Sequence, residues 1–341
     1  KKNGQKNGPA ATRIEGAASN EEKLHARCDS FVVETNVHFP TDTNLLFDAT
    51  RKAIAESVAW SDEHALSGWR QVEHHTRQFK SKLRKIQKLR RSTAKDKTKK
   101  TLREKEIRKA HRRYLDAAQS FLARAEATRQ QLMEEFHVSA GELQMLQYYM
   151  LHAYYQMHLI ERRVLQGEKI PHHEKIFSIF EPHTEWINKG KAGVPVELGL
   201  KACILEDQHG FILHHQVMEQ QGDDQVAVEM VSESKRRFAE LASVSMDKGF
   251  HSAENQRLLR ELPDLIVLPR KGRLREADHQ REGAAEFKLL RRAHPAVESA
   301  INALEVHGLD QCPDHGIDGF KRYVSLAVVA RNIHRLGTVL R

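Results

Sequence analysis

The first strand-like run of this chain is cut off from every later one by residues 45–168, whose apolar spacing is helical throughout. That separation limits the fold more than any single motif does. Phe31 to Phe39 are mostly apolar or β-branched and predict a strand, which Pro40 and Asp42 end. From Leu45 the period changes. Leu46, Ala49, Ala53, Ser57 and Val58 share one helical face, with Asp42 or Thr43 as N-cap. Phe79, Leu83, Ile86 and Leu89 continue the pattern up to a lysine-rich tip at Ser92–Lys100. A second arm carries Leu102, Ala110, Tyr114, Ala117, Phe121 and Ala125. A third helix is expected to open at Ser139, which forms a capping box with Glu142, and to close at Gly167 and Pro171.

Strand character returns at Val196–Leu205 and Phe211–Val217, joined by a hairpin-like turn. A helix is then expected over Asp223–Phe238, a strand over Ala242–Met246, a helix over Ser252–Leu262 and a strand over Leu265–Leu268. Helices are expected again over Gly283–Val306 and Gly319–Leu336. Strands flanked by helices define an α/β fold. The expected layout is a tail or linker at 1–24, the first strand of a core at 25–44, a basic helical insertion at 45–168 and the rest of the core at 169–341. One interrupted domain explains it better than two consecutive ones. Residues 1–22, rich in Lys, Gly, Asn and Ala, have too few large apolar side chains to offset their ordering entropy.

The net charge is +9, and its distribution says more than its total. Between Arg70 and Arg113 there are 19 Lys plus Arg against 4 Asp plus Glu, an excess of +15, which leaves −6 for the remainder. A solvated helical face is the ordinary explanation of a charge run. Here few acids are interleaved, so a polyanion, nucleic acid first, is the expected partner. Lys80, Lys82, Arg84, Lys85, Lys88, Arg90 and Arg91 are the candidate phosphate contacts in the block, and Lys189 and Lys191 lie near a later strand.

Cys28, Cys203 and Cys312 are odd in number and contain no Cys-x-x-Cys pair, which argues against a disulfide framework and for a reducing, cytoplasmic setting. No apolar stretch approaches the ~20 residues of a membrane span, and no signal peptide is visible. The chain opens KKNGQKNG without methionine, so a missing upstream segment is expected. Cys312 and His315 make only half a zinc site, and His-His pairs at 74, 172 and 214 fall in different elements, so zinc is disfavoured. No Walker loop or dinucleotide fingerprint occurs. Trp69 and Trp186 could stack on bases, but packing is the commoner role of tryptophan.

Three acids stand in suggestive settings: Asp29 in CDSFVVETNVHFPTD, Asp247 closing the run LASVSMD, and Glu298 on the helix of HPAVESAINALEVHGL. Carboxylate oxygens are the hard ligands that Mg²⁺ prefers, and a cluster from two strand ends and a helix would suit two-metal attack on a phosphodiester. Taken singly, each is as easily a surface acid. Glu34 competes with Asp29, but the two point to opposite faces of a strand and only one can face a cleft. Asp223 and Asp224 follow a glycine at a helix start, where capping comes first and a cleft role second.

Together, CDSFVVETNVHFPTDTNLL (28–46), EPHTEWINKGKAGVPVELGLKACILEDQHGFILHHQV (181–217), SMDKGFHSAEN (245–255) and residues 297–337 give the chain a resemblance. It resembles the DDE transposases of bacterial insertion sequences, from about Asp29 to Leu336 and interrupted only by the helical unit. The resemblance implies a ribonuclease H-like catalytic core. It also implies Asp29, Asp247 and Glu298 as catalytic metal ligands, and two Mg²⁺ ions with Mn²⁺ as a substitute. The implied activity is cleavage of transposon ends and 3′-OH strand transfer into double-stranded target DNA, with a homodimer or higher assembly formed on DNA. Many relatives pattern the helix around the Glu as Tyr-x2-Arg-x3-Glu-x6-Lys. Here Arg291, His294, Glu298 and Glu305 occupy those positions, so the usual cationic contacts do not carry over, and Arg291, Arg292 or His294 would have to substitute. The rivals are a ribonuclease H-like nuclease without strand transfer, an inactive transposase-derived DNA-binding protein, and a basic helical RNA binder, which leaves the α/β part unexplained.

Overall fold

In a computed structural model the described residues are 23–93, 96–188 and 195–341. The expected tail at 1–22, together with Lys189 and Lys191, lies outside them. The fold is mixed α/β. The chain divides into two compact units. One holds Val32–Leu200 and Asp310–Val324; the other holds residues 23–31, Lys201–Leu309 and Ser325–Arg341.

In chain order the elements begin with β1 (Leu24–Thr35), α1 (Asp42–Glu63), α2 (Val72–Arg91), α3 (Lys97–Glu135) and α4 (Gln144–Ile160). Next come β2 (Glu185–Asn188), β3 (Val196–Glu206), β4 (Ile212–Met218), α5 (Asp223–Arg237) and β5 (Leu241–Met246). Last are α6 (Ala253–Leu258), β6 (Leu265–Val267), α7 (Glu276–Gly283), α8 (Ala285–Ala293), α9 (Val297–Leu304), β7 (Gln311–Cys312) and α10 (Gly316–Val339). The strand path is β2-β3-β1-β5-β6, with β4 on β3 and β7 on β1. β5 and β6 run parallel to their neighbours, whereas β3 pairs antiparallel with β2 and β4. The division between the units falls within β1, after Phe31, and within β3, after Leu200.

The helical unit has its own core. Leu46, Ala49 and Ala53 of α1 face inward with Phe79, Leu83 and Ile86 of α2, Tyr114 and Leu122 of α3, and Leu146 and Met150 of α4. Phe79 and Tyr114 stack with ring centroids 4.6 Å apart. Tyr114 is fully buried, and its hydroxyl donates to the Thr43 carbonyl at 3.0 Å. Thr41, rather than Asp42 or Thr43, caps α1, accepting from the Asn44 amide. Asp42 is instead gripped through both carboxylate oxygens by Arg163, at 2.6 and 2.9 Å. Gly199 lets β3 press onto β1, since a Cβ there would collide with the Val33 carbonyl oxygen.

Several sequence boundaries move. β1 begins at Leu24 and stops at Thr35, so Asp29 sits inside the strand and residues 36–39 lie outside it. Its N-terminal half buries Ala26 and Cys28 and leaves His25, Arg27 and Asp29 half-exposed, a period of two that alternates with polar residues. Ser139 and Glu142 do exchange capping-box bonds, but α4 opens only at Gln144. The single helix expected over Gly283–Val306 is broken. Pro295 sits in a 3-10 turn at His294–Ala296 that separates α8 from α9.

Candidate functional site

β1 and β5 lie side by side and parallel, in a register that pairs Ala26 with Val244 and Cys28 with Met246. Asp29 and Asp247 are the next residue along each strand, so two residues more than two hundred positions apart in sequence become neighbours. Cys28 and Cys203 beneath them are free, fully buried thiols whose sulfurs lie 3.5 Å apart. Asp247 leaves the end of β5 as N-cap of a short 3-10 turn and accepts from the Gly249 amide at 2.7 Å. Glu298 occupies the first turn of α9, anchored by buried Val297, Ala300 and Leu304. Ile301 of the same helix is only half-buried.

The sequence reading underrates Asp223. Its carboxylate does not cap α5; it accepts from the Ser30 hydroxyl at 2.6 Å and pairs with Lys201 at 3.0 Å. A Cβ on Gly249 would lie 2.9 Å from Asp247 Oδ1 and 3.1 Å from Asp223 Oδ2. The glycine therefore leaves a gap between those two acids. Burial, together with the charges of Asp247, Asp223 and Glu298, pushes the half-buried Asp29 carboxyl up to about 6, while the Ser30 amide opposes the shift. A signal for Asp223 exists in the alternation of β3, which aims Lys201 at the same face, but it appears only once β3 is paired.

His294 is the fifth member of the group. Its Nδ1 lies 3.2 Å from the Ser245 hydroxyl, and burial holds the imidazole below its ordinary pKa although Asp247 and Glu298 pull the other way. It is therefore a neutral hydrogen-bonding group at pH 7 rather than a substitute cation. Arg291 lies 3.5 Å from the Glu282 carboxylate.

A hard divalent cation suits this donor set. All four acids offer carboxylate oxygens, their repulsion is already visible at Asp29, and Gly249 keeps space open between Asp223 and Asp247. Among the described residues, no three His, Cys, Asp or Glu side chains already stand at ligand spacing. The half zinc site at Cys312 and His315 does not assemble: Cys312 is buried in β7, and His315 binds the Glu181 carboxylate at 2.7 Å.

The candidate phosphate contacts fall on α2. Phe79, Leu83 and Ile86 bury one face, and Lys80, Arg84, Lys85, Lys88, Arg90 and Arg91 stand exposed on the rest, with Lys82 partly so. None of the seven forms an ion pair among the described residues. Trp69 is a packing residue, buried beneath Arg124 and donating to Thr128 at 2.9 Å. Glu34, the competitor of Asp29, lies on β1 where the strand pairs with Gln311 of β7. No helix among the described residues is long and apolar enough to cross a membrane. Comparison with family models, curated proteins and solved structures returned no match for the chain.

Proposed function

We propose that the chain is the catalytic part of a DNA transposase with a ribonuclease H-like core, cutting DNA phosphodiesters and joining the freed 3′-OH to target DNA. The observation that carries this reading is the convergence of Asp29, Asp247, Glu298 and Asp223 on one end of the β1–β5 pair. The strand order supports the core: an antiparallel β3–β4 hairpin on one side of β1 and parallel β5 and β6 on the other.

Asp29, Asp247 and Glu298 would hold Mg²⁺ or Mn²⁺. Bound there, a divalent ion pair supplies Lewis-acid activation of the attacking oxygen and neutralises charge on the leaving one. The chain's own groups do the positioning. Lys201 fixes Asp223 through both carboxylate oxygens, Ser30 donates to one of them, and the Gly249 amide fixes Asp247. Hydrolysis and strand transfer share the site because both are in-line displacements at phosphorus. The unpaired cations of α2 supply sequence-independent affinity for the DNA backbone. Assembly as a dimer on paired DNA ends and action in the bacterial cytoplasm belong to the same reading.

The test is cutting and joining of duplexes carrying element ends, in Mg²⁺ or Mn²⁺. D29N, D247N and E298Q are expected to reduce both products by at least about a hundredfold, with thermal melts still cooperative. Unaltered cutting by D247N would overturn the assignment. Cutting without joining would identify the nuclease alternative, and DNA binding without either product the inactive one.

A further inference from the structure

A cavity with a largely apolar lining and a few charged groups lies entirely within the Val32–Leu200 unit. Its volume is about 230 Å³, just below the usual span of ligand sites, so it suits one small molecular unit and not a duplex. Arg163 reaches it from just beyond α4, with its guanidinium held in place by the Asp42 carboxylate. Arg90, the last cation but one of α2, and Lys175 also line it, and neither forms an ion pair among the described residues. Three cations against one carboxylate leave the lining positive.

The other walls are flat and apolar. Phe177 and Trp186 lie with ring centroids 5.6 Å apart and planes inclined by 38°. Gln156 supplies the most telling atom. It is 1% exposed, it lines the cavity, and its amide Nε2 has no hydrogen-bond partner. A buried amide donor left unmatched costs stability unless something accepts from it. His111, within reach of the charges of Arg90 and Arg163 but not itself in the lining, is fully buried, and burial together with those two cations holds its imidazole below the ordinary pKa.

We propose that this cavity binds a nucleotide unit, a planar heteroaromatic ring bearing a phosphate. The phosphate would lie against Arg90, Arg163 and Lys175, as guanidinium forks favour. The ring would lie on Trp186 and Phe177 and accept from Gln156. The unit could be a free mononucleotide or the phosphorylated end of a DNA strand, since both present the same chemistry. Neither case requires the carboxylate site to be catalytic.

Calorimetric titration of the full chain tests this with inorganic phosphate, thymidine, thymidine 5′-monophosphate, and a short single strand with and without a 5′-phosphate. The monophosphate or the phosphorylated strand is expected to bind at least about tenfold more tightly than thymidine or phosphate alone. Tighter binding of the phosphorylated strand than of the monophosphate identifies a strand end; equal binding identifies a free nucleotide. Arg90→Gln lies at an exposed position and should weaken binding of the monophosphate about tenfold. Gln156→Leu should weaken the monophosphate but leave inorganic phosphate unchanged. Lys85→Gln, off the cavity, should weaken strands only. No binding of either phosphorylated ligand at about 1 mM, or binding indifferent to both Arg90→Gln and Trp186→Phe, would overturn the proposal.

Discussion

Glu206 shows how one side chain ties this fold to pH. It closes β3 at 4% exposure, and burial pushes its carboxyl up to about 7, with Arg27, Arg331 and Arg335 pulling it back. The folded chain therefore holds a proton that the unfolded chain releases between its ordinary value and about 7. Stability falls as pH rises through that window. Glu206→Gln should remove this residue's share of the slope, gaining on the order of 3 kcal/mol relative to the native chain at pH 8 and little at pH 4. Urea unfolding at the two pH values checks this, and parallel pH profiles would refute it. At the same scale, Asp29, Asp247 and Glu298 were each legible as acids in suggestive places. Asp223 was not, because a carboxylate just after a glycine at a helix start satisfies a local rule that competes with any distant role. Its partners Ser30 and Lys201 lie 193 and 22 residues away, and no local pattern announces them.

Among elements, α2 separates packing from charge most cleanly, because its two faces do different things. Phe79→Ala should cost roughly 3–5 kcal/mol by emptying the space between Phe47, Tyr114 and Phe121. Arg84→Gln on the opposite face should leave the melt within about 0.5 kcal/mol. A large loss from Arg84→Gln would mean that the exposed face is not free. Helical period made α1 to α4 legible in existence, since long amphipathic patterns are the strongest local signal. Their ends were less so. Thr41 captured the cap of α1 because Asp42 was drawn to Arg163, a partner 121 residues away. The apolar run Phe31–Phe39 alone starts the first strand late, because the outward residues in the first half of β1 are polar, and β7 has no signal because two residues carry no period at all.

For the whole molecule, the excess of Lys and Arg between Arg70 and Arg113 predicts DNA affinity that falls steeply with salt. Replacing Arg84, Lys85 and Lys88 together by Gln should lower the slope of log affinity against log salt by about 2–3, measured on duplexes of unrelated sequence. An unchanged slope would place the DNA elsewhere. The α/β class was legible from the alternation of strand and helix after residue 196. The strand order was not, because it depends on pairings between segments that the sequence keeps far apart.

That order bears on how the protein is made. β1 takes its place between β3 and β5, both of which leave the ribosome long after it does. Throughout synthesis of α1 to α4, the nascent β1 carries bare N–H and C=O groups on both edges, open to mispairing with other chains. Expression that outruns chaperone supply should therefore yield inclusion bodies, and slower translation should recover the native product.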